Sequence, residues 1–165
     1  MKKILIFSIL AFEFGSFNVY ANSNINNQKI TVVKYLYDKE LAPIDPKFRV
    51  RVTPELRSLL VRDDKGTKRA AGGYMDMALS CQDILFPTVE EYDDPIFVPI
   101  QNSIRYQVVP NGNVRASFTN SKGENKIIHY KMICKNNKCL ISDIIGSDSS
   151  SYANQISQCL RKKRY

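Results

Sequence analysis

The chain has 165 residues, 44% hydrophobic and 24% charged, with a formal net charge of +8. That gives room for one globular domain and excludes a disordered or fibrous chain. With one histidine, four cysteines and no tryptophan, it also excludes a histidine-rich metal cluster, and any serine or cysteine triad has to be built around that histidine.

Met1, Lys2 and Lys3 precede an apolar run from Ile4 to Phe12, which loosens towards Val19, Tyr20 and Ala21. A positive start, an apolar middle and a small-residue end form the pattern of a secretory signal, with cleavage expected after Ala21. Glu13, directly after the apolar run, departs from that pattern, and the competing reading is an N-terminal core helix. The run is too short to cross about 30 Å of hydrocarbon, and no later segment is long and apolar enough to span a membrane. No cysteine stands at the expected cleavage point to carry a lipid anchor. The expected organisation is a signal peptide over residues 1–21, a polar disordered leader over 22–28 and a single domain over 29–165, released into the periplasm.

Cys81, Cys134, Cys139 and Cys159 all fall in the exported part, and an even count there reads as disulfides with three conceivable pairings. Two strands around the polar turn Lys135-Asn136-Asn137-Lys138 would set Cys134 opposite Cys139, leaving Cys81 for Cys159. A zinc site is the rival reading, but the Cys134 to Cys139 spacing is wider than a common zinc knuckle.

In chain order, Ile30, Val33, Tyr37 and Leu41 recur at helical spacing with Lys34, Asp38 and Lys39 between them, an amphipathic first helix ended by Pro43 and Pro46. Thr53-Pro54-Glu55 opens a second helix with a cap, a first-turn proline and an acid at the positive end of the dipole, and Leu56, Leu59 and Leu60 form its buried stripe. The charged stretch from Arg62 to Arg69 reads as a solvated helix end or loop, Gly72-Gly73 as a break, and residues 74–85 as a short third helix. Ile104, Tyr106 and Val108 alternate before Pro110-Asn111-Gly112, and Val114, Ala116 and Phe118 alternate after it, which is a hairpin. Ser121-Lys122-Gly123 turns into a strand through Ile128, Tyr130 and Met132, then the cysteine hairpin and a strand from Leu140 to Ile145, with a further strand expected around 96–100. Tyr152, Ile156, Cys159 and Leu160 mark a closing helix that ends in Arg161, Lys162, Lys163 and Arg164. The expected fold is α+β: N-terminal helices packed on a curved antiparallel sheet of four to five strands, a short C-terminal helix and two disulfides.

The words Val33-Lys34-Tyr35-Leu36-Tyr37, Thr53-Pro54-Glu55-Leu56, Gln82-Asp83 after Asp76, and Leu140-Ile141-Ser142-Asp143-Ile144-Ile145 together resemble a family of uncharacterised exported bacterial proteins with a cystatin-like, nuclear-transport-factor-like cone fold. The resemblance covers most of residues 30–145, although the last phrase usually begins with a tryptophan in that family and here does not. It implies a curved sheet wrapped on helices with a concave side, a scaffold shared by enzymes, ligand binders and inhibitors, and it transfers no catalytic residue.

No catalytic residue, metal ligand or cofactor is assigned. His129 alternates with Ile128 and Tyr130 and so faces away from their side of the sheet, as a solvated or hydrogen-bonded side chain rather than a base. Asp76, Asp83 and Asp143 are the acids that could line a cone-fold cavity, with Asp83, Tyr106 and Asp143 around a small ligand; the plainer roles are a turn cap or arginine partner for Asp83 and backbone binding for Asp143. The acidic run of residues 90–94 lacks the glycine and ligand spacing of a calcium loop. Removing Lys2, Lys3 and Glu13 with the leader leaves +7 on the exported chain. The excess gathers at Lys47, Arg49, Arg51, Arg57, Arg62, Lys65, Lys68 and Arg69, and again at Arg161, Lys162, Lys163 and Arg164. Such a field favours an acidic protein partner, with weak envelope association through the tail as the lesser reading, or serves solubility alone. Nucleic acid is not expected, because the aromatics follow core alternation instead of interleaving with the cations as a base-stacking platform does. The expectation is therefore a non-enzymatic periplasmic binding domain, in concrete form an immunity-type inhibitor of a delivered toxin, with a cone-fold binder or enzyme of a small ligand as the alternative.

Overall fold

The computed structural model describes residues 16–73, 79–84, 104–119 and 123–163. Helix α1 (Ser16–Asp38) buries Val33 and Leu36 and turns Lys34 and Asp38 outward, where they pair at 2.7 Å one turn apart. It starts earlier than the sequence suggests: residues 22–28, expected as a disordered leader, are helical. Thr31 Oγ1 donates to Asn27 O at 2.8 Å and Gln28 Nε2 to Asn24 Oδ1 at 3.3 Å. Extending a helix already anchored by Val33 and Leu36 needs no new nucleus, so polar residues join it cheaply. The helix also passes through the expected processing point at Ala21.

Leu41 N donates to Leu36 O at 3.0 Å while Glu40 takes a left-handed φ of 49°, so α1 ends on a left-handed cap instead of at the prolines. Pro46, read as a helix stop, begins the short α2 (Pro46–Arg49) under the Asp45 cap. Helix α3 (Pro54–Ala70) has the start its sequence announces: Thr53 caps, Pro54 leads and Glu55 sits in the first turn. Its inward stripe runs further than its leucines. Asp63, Gly66 and Thr67 are buried inside the stretch that the sequence presents as solvated. Among the described residues of the expected third helix, only α4 (Cys81–Ile84) is α-helical.

Strands β1 (Arg105–Val108), β2 (Val114–Thr119), β3 (Asn125–Lys135) and β4 (Lys138–Ile145) form an antiparallel meander in sequence order. The fifth strand expected at 96–100 lies outside the described residues. The β1–β2 turn closes through Val109 N to Asn113 O at 2.9 Å, with Gly112 at the φ of +81° that a tight turn asks of a glycine. In the β3–β4 turn Asn136 and Asn137 take φ of 50° and 56°, as a two-residue primed turn requires, and this seats Cys134 opposite Cys139. A register shift between Lys131 and Met132 bends the sheet.

Val114, Tyr130 and Ile144 share one row of the inner face, and α1 crosses all four strands above it. Lys29 Nζ clips α1 to the β1–β2 turn by donating to Gly112 O at 2.8 Å. Beside β4, Ile141 accepts from Thr53 N at 2.8 Å and donates to Arg51 O at 2.9 Å, a parallel bridge at Val52. At the end of the same strand Ser151 pairs with Ile145 just before α5 (Tyr152–Lys163). Leu56 and Leu60 of α3 join Tyr152, Ile156 and Leu160 of α5 in the core, all at 1% exposure or less. No helix among the described residues is long and apolar enough to cross a membrane.

Both disulfides form, Cys134–Cys139 across the hairpin and Cys81–Cys159 between α4 and α5, which removes zinc as a use for these sulfurs. The closed loops span 5 and 78 residues. Chain-entropy reasoning assigns the short one about 2 kcal/mol and the long one about 4 to 5 kcal/mol. The Cys81→Ala/Cys159→Ala double variant is therefore expected to lose about twice the stability lost by Cys134→Ala/Cys139→Ala, read as midpoints of urea unfolding under non-reducing conditions.

Candidate functional site

The densest polar arrangement in the described residues lies where α3 meets α4. Asp63 is fully buried, and its Oδ2 accepts from Ser80 Oγ at 2.8 Å, Cys81 N at 2.9 Å, Gln82 N at 3.1 Å and Gln82 Nε2 at 3.3 Å. Those backbone N–H groups open α4, so a carboxylate from a different helix acts as its cap. Next to it Arg49 forms a two-pronged ion pair with Asp64, one arm at 2.9 Å, and also reaches Gln82 Oε1 at 3.1 Å and Pro43 O at 2.9 Å. Gln82 Nε2 completes the ring on Asp64 at 2.7 Å, and Tyr152 Oη donates to Gln82 O at 2.8 Å. His129 points from β3 away from Ile128 and Tyr130, cross-strand from Arg115 and Ile145.

Of the three residues proposed to share a cavity, Tyr106 and Asp143 do not meet. Tyr106 lies on β1 and Asp143 on β4, the two outer strands of the described sheet and about 14 Å apart at ordinary strand spacing. Asp83 falls in α4, and its side chain is outside the described set. Asp143 is 7% exposed and committed: its Oδ1 accepts from Ile144 N at 2.9 Å and Ala153 N at 3.0 Å, and its Oδ2 from Ser151 Oγ at 2.8 Å and Lys131 Nζ at 3.3 Å. It fixes the start of α5 to β4.

The interior between α1 and the sheet holds aromatic rings. Tyr37 meets Tyr106, Phe118 and Tyr130 edge-on at 5.9, 5.9 and 6.2 Å between centroids, and the hydroxyls of Tyr37 and Tyr130 bond at 2.9 Å. Burial away from water raises the pKa of all three tyrosines. An open depression of about 550 Å³ lies at the end of the β2–β3 pair among Arg105, Phe118 and Lys126.

The structure divides the basic residues into two groups. Arg49, Arg51 and Arg57 are spent internally. Arg51 donates to Lys47 O at 2.6 Å and stacks 3.7 Å over the Tyr35 ring, and Arg57 donates to Arg49 O at 2.7 Å and Val52 O at 3.3 Å, so both hold carbonyls around the end of α2. Arg62, Lys65, Lys68, Arg69, Arg161 and Lys162 are exposed, and none forms an ion pair with a described residue. Lys163 reaches back to Leu79 O, and Arg164 lies outside the described residues.

Helices α3 and α5 both start on β4, through Thr53 N to Ile141 O and Ala153 N to Asp143 Oδ1. About three turns further along α3 and about two along α5, both reach α4, through Asp63 and through Cys159. They therefore run in the same direction, and their basic last turns lie at one end of the molecule. On the outward side of α3 a depression of about 350 Å³ is lined by Ser58, Val61, Arg62, Lys65, Gly66 and Arg69.

Sequence reasoning missed the Asp63, Asp64, Arg49 and Gln82 assembly because each residue sits in a charged or polar stretch that reads as surface. The available signal was the spacing of Leu56, Leu60, Asp63 and Thr67, which continues the buried stripe through the charged segment.

Asp63→Ala leaves the Ser80 hydroxyl and the Cys81 N–H without their acceptor, while Gln82 N keeps Ser80 Oγ at 3.2 Å, and a loss of about 3 kcal/mol is expected in denaturant unfolding, against less than about 0.5 kcal/mol for Arg62→Ala. Tyrosines held neutral by burial bind protons that the unfolded chain releases above pH ~10. Their stabilisation is thus complete below that pH and is lost as pH rises beyond it. A Tyr37→Phe/Tyr130→Phe variant is expected to show a shallower alkaline decline than wild type when unfolding is followed from neutral pH upward.

Compared with known protein families, curated proteins and solved structures, the chain matches none.

Proposed function

We propose that this chain is a non-catalytic periplasmic protein that binds an acidic protein, in concrete form an inhibitor that occludes the active site of a toxin delivered into that compartment. The observation that carries this reading is the separation of the cations. The fold consumes Arg49, Arg51 and Arg57 in its own hydrogen bonds, yet leaves Arg62, Lys65, Lys68, Arg69, Arg161 and Lys162 exposed on two helices whose ends coincide. Unpaired like charges held together repel one another, a cost that an acidic partner relieves on binding.

Export is part of the same reading. It is supported by the leader pattern of residues 1–21 and by two disulfides, which form in oxidising compartments. A basic surface on a small stapled domain suits an inhibitor that must find its target quickly, since complementary charge raises the encounter rate more than it raises raw affinity.

The test is to purify the chain from Asn22 onward and titrate it against the products of adjacent genes. A complex with nanomolar affinity, neutralised toxicity and an association rate that falls steeply between 50 and 200 mM salt, at about the scale of a Debye length of 10 Å, is the expected result. Replacing the six exposed cations with glutamate is expected to weaken that complex at least about tenfold, or 1.4 kcal/mol. Co-purification of a small molecule with no protein partner overturns the reading.

A further inference from the structure

The row Arg62, Lys65 and Arg69 stands on one side of α3 around the depression that also contains Ser58, Val61 and Gly66. At 1.5 Å per residue the three cations are spaced about 4.5 and 6.0 Å along the axis, about 10.5 Å in all. Carboxylates at positions i, i+3 and i+7 of a second helix repeat that spacing, whereas same-face residues of an extended strand advance about 6.7 Å each and overshoot by about 3 Å over the row. Val61, 36% exposed, supplies apolar surface beside the charges. A bare charged surface for lipid needs neither the concavity nor the apolar wall.

We infer that the α3 depression seats an acidic α-helix of the partner, its carboxylates one turn apart on Arg62, Lys65 and Arg69 and an apolar side chain over Val61. The inference rests on the proposal that the partner is an acidic protein, and it narrows that proposal to one face and one secondary structure.

The probe is a designed alanine-based helical peptide with glutamates at i, i+3 and i+7 and a leucine beside them. The control has the same charge and a central proline that abolishes the helix. With the chain from Asn22 onward at low ionic strength, the helical peptide is expected to bind at least about tenfold tighter than the control by fluorescence anisotropy, with backbone amide shifts confined to residues 58–69. Arg62→Glu/Lys65→Glu/Arg69→Glu, verified as folded by circular dichroism, is expected to lose this binding and to recover it with a peptide carrying lysines in place of the glutamates. Equal binding of the two peptides overturns the helix assignment. So do shifts centred on Arg161 and Lys162, although the acidic-partner proposal survives that result. Tight binding of phosphatidylglycerol vesicles without any peptide preference overturns it in favour of a membrane surface. Absence of binding by either peptide, together with failure of every acidic protein in the titration described above, overturns both.

Discussion

The Asp63 carboxylate is the interaction on which the helical half of the molecule depends. One buried oxygen collects a hydroxyl and two backbone donors at the start of α4, and α4 in turn carries Cys81 and the Gln82 carbonyl that bind α5. A helix of four residues cannot stand by itself, because nucleation outweighs the few bonds it makes. It is held from outside by a cap, a disulfide and a tyrosine hydroxyl. Asp143 does the same for α5 at the other end, so an acid that a cavity reading would make functional instead fastens a helix.

This arrangement sets where binding chemistry can occur. Each buried acid meets several donors, and the inner face of the sheet is filled by Tyr37, Tyr106, Phe118 and Tyr130. The charge excess of the sequence becomes an organised feature only because α3 and α5 run side by side in one direction and finish together, a consequence of both being started by β4 and stapled at α4.

The four described strands, their order and the Cys134–Cys139 pairing were legible in the sequence because each rested on a local signal: alternation, a turn glycine, an Asn-Asn turn between two cysteines; Cys81–Cys159 then followed by elimination. The N-terminus of α3 was legible for the same reason, through Thr53 and Pro54. The start of α1 was not, since a polar segment declares no preference until a packed neighbour extends into it. Nor was the sorting of arginines into spent and free, because Arg49 and Arg62 look alike in sequence and differ only in whether the fold brings Asp64 or solvent to them. The Asp83, Tyr106 and Asp143 grouping joined residues that the meander places on different elements, and only the strand order reveals that separation.

The bridges beside β4 carry a different consequence. An outer strand with free N–H and C=O groups is a template on which another chain can add a strand and seed a fibril. Here residues 51–53 occupy the middle of that strand and Ser151 its end, so the template is blocked by the molecule's own backbone at both places. The sheet, whose β3 exposes Ile127 and Ile133, thereby gains a built-in resistance to polymerising through its β4 edge.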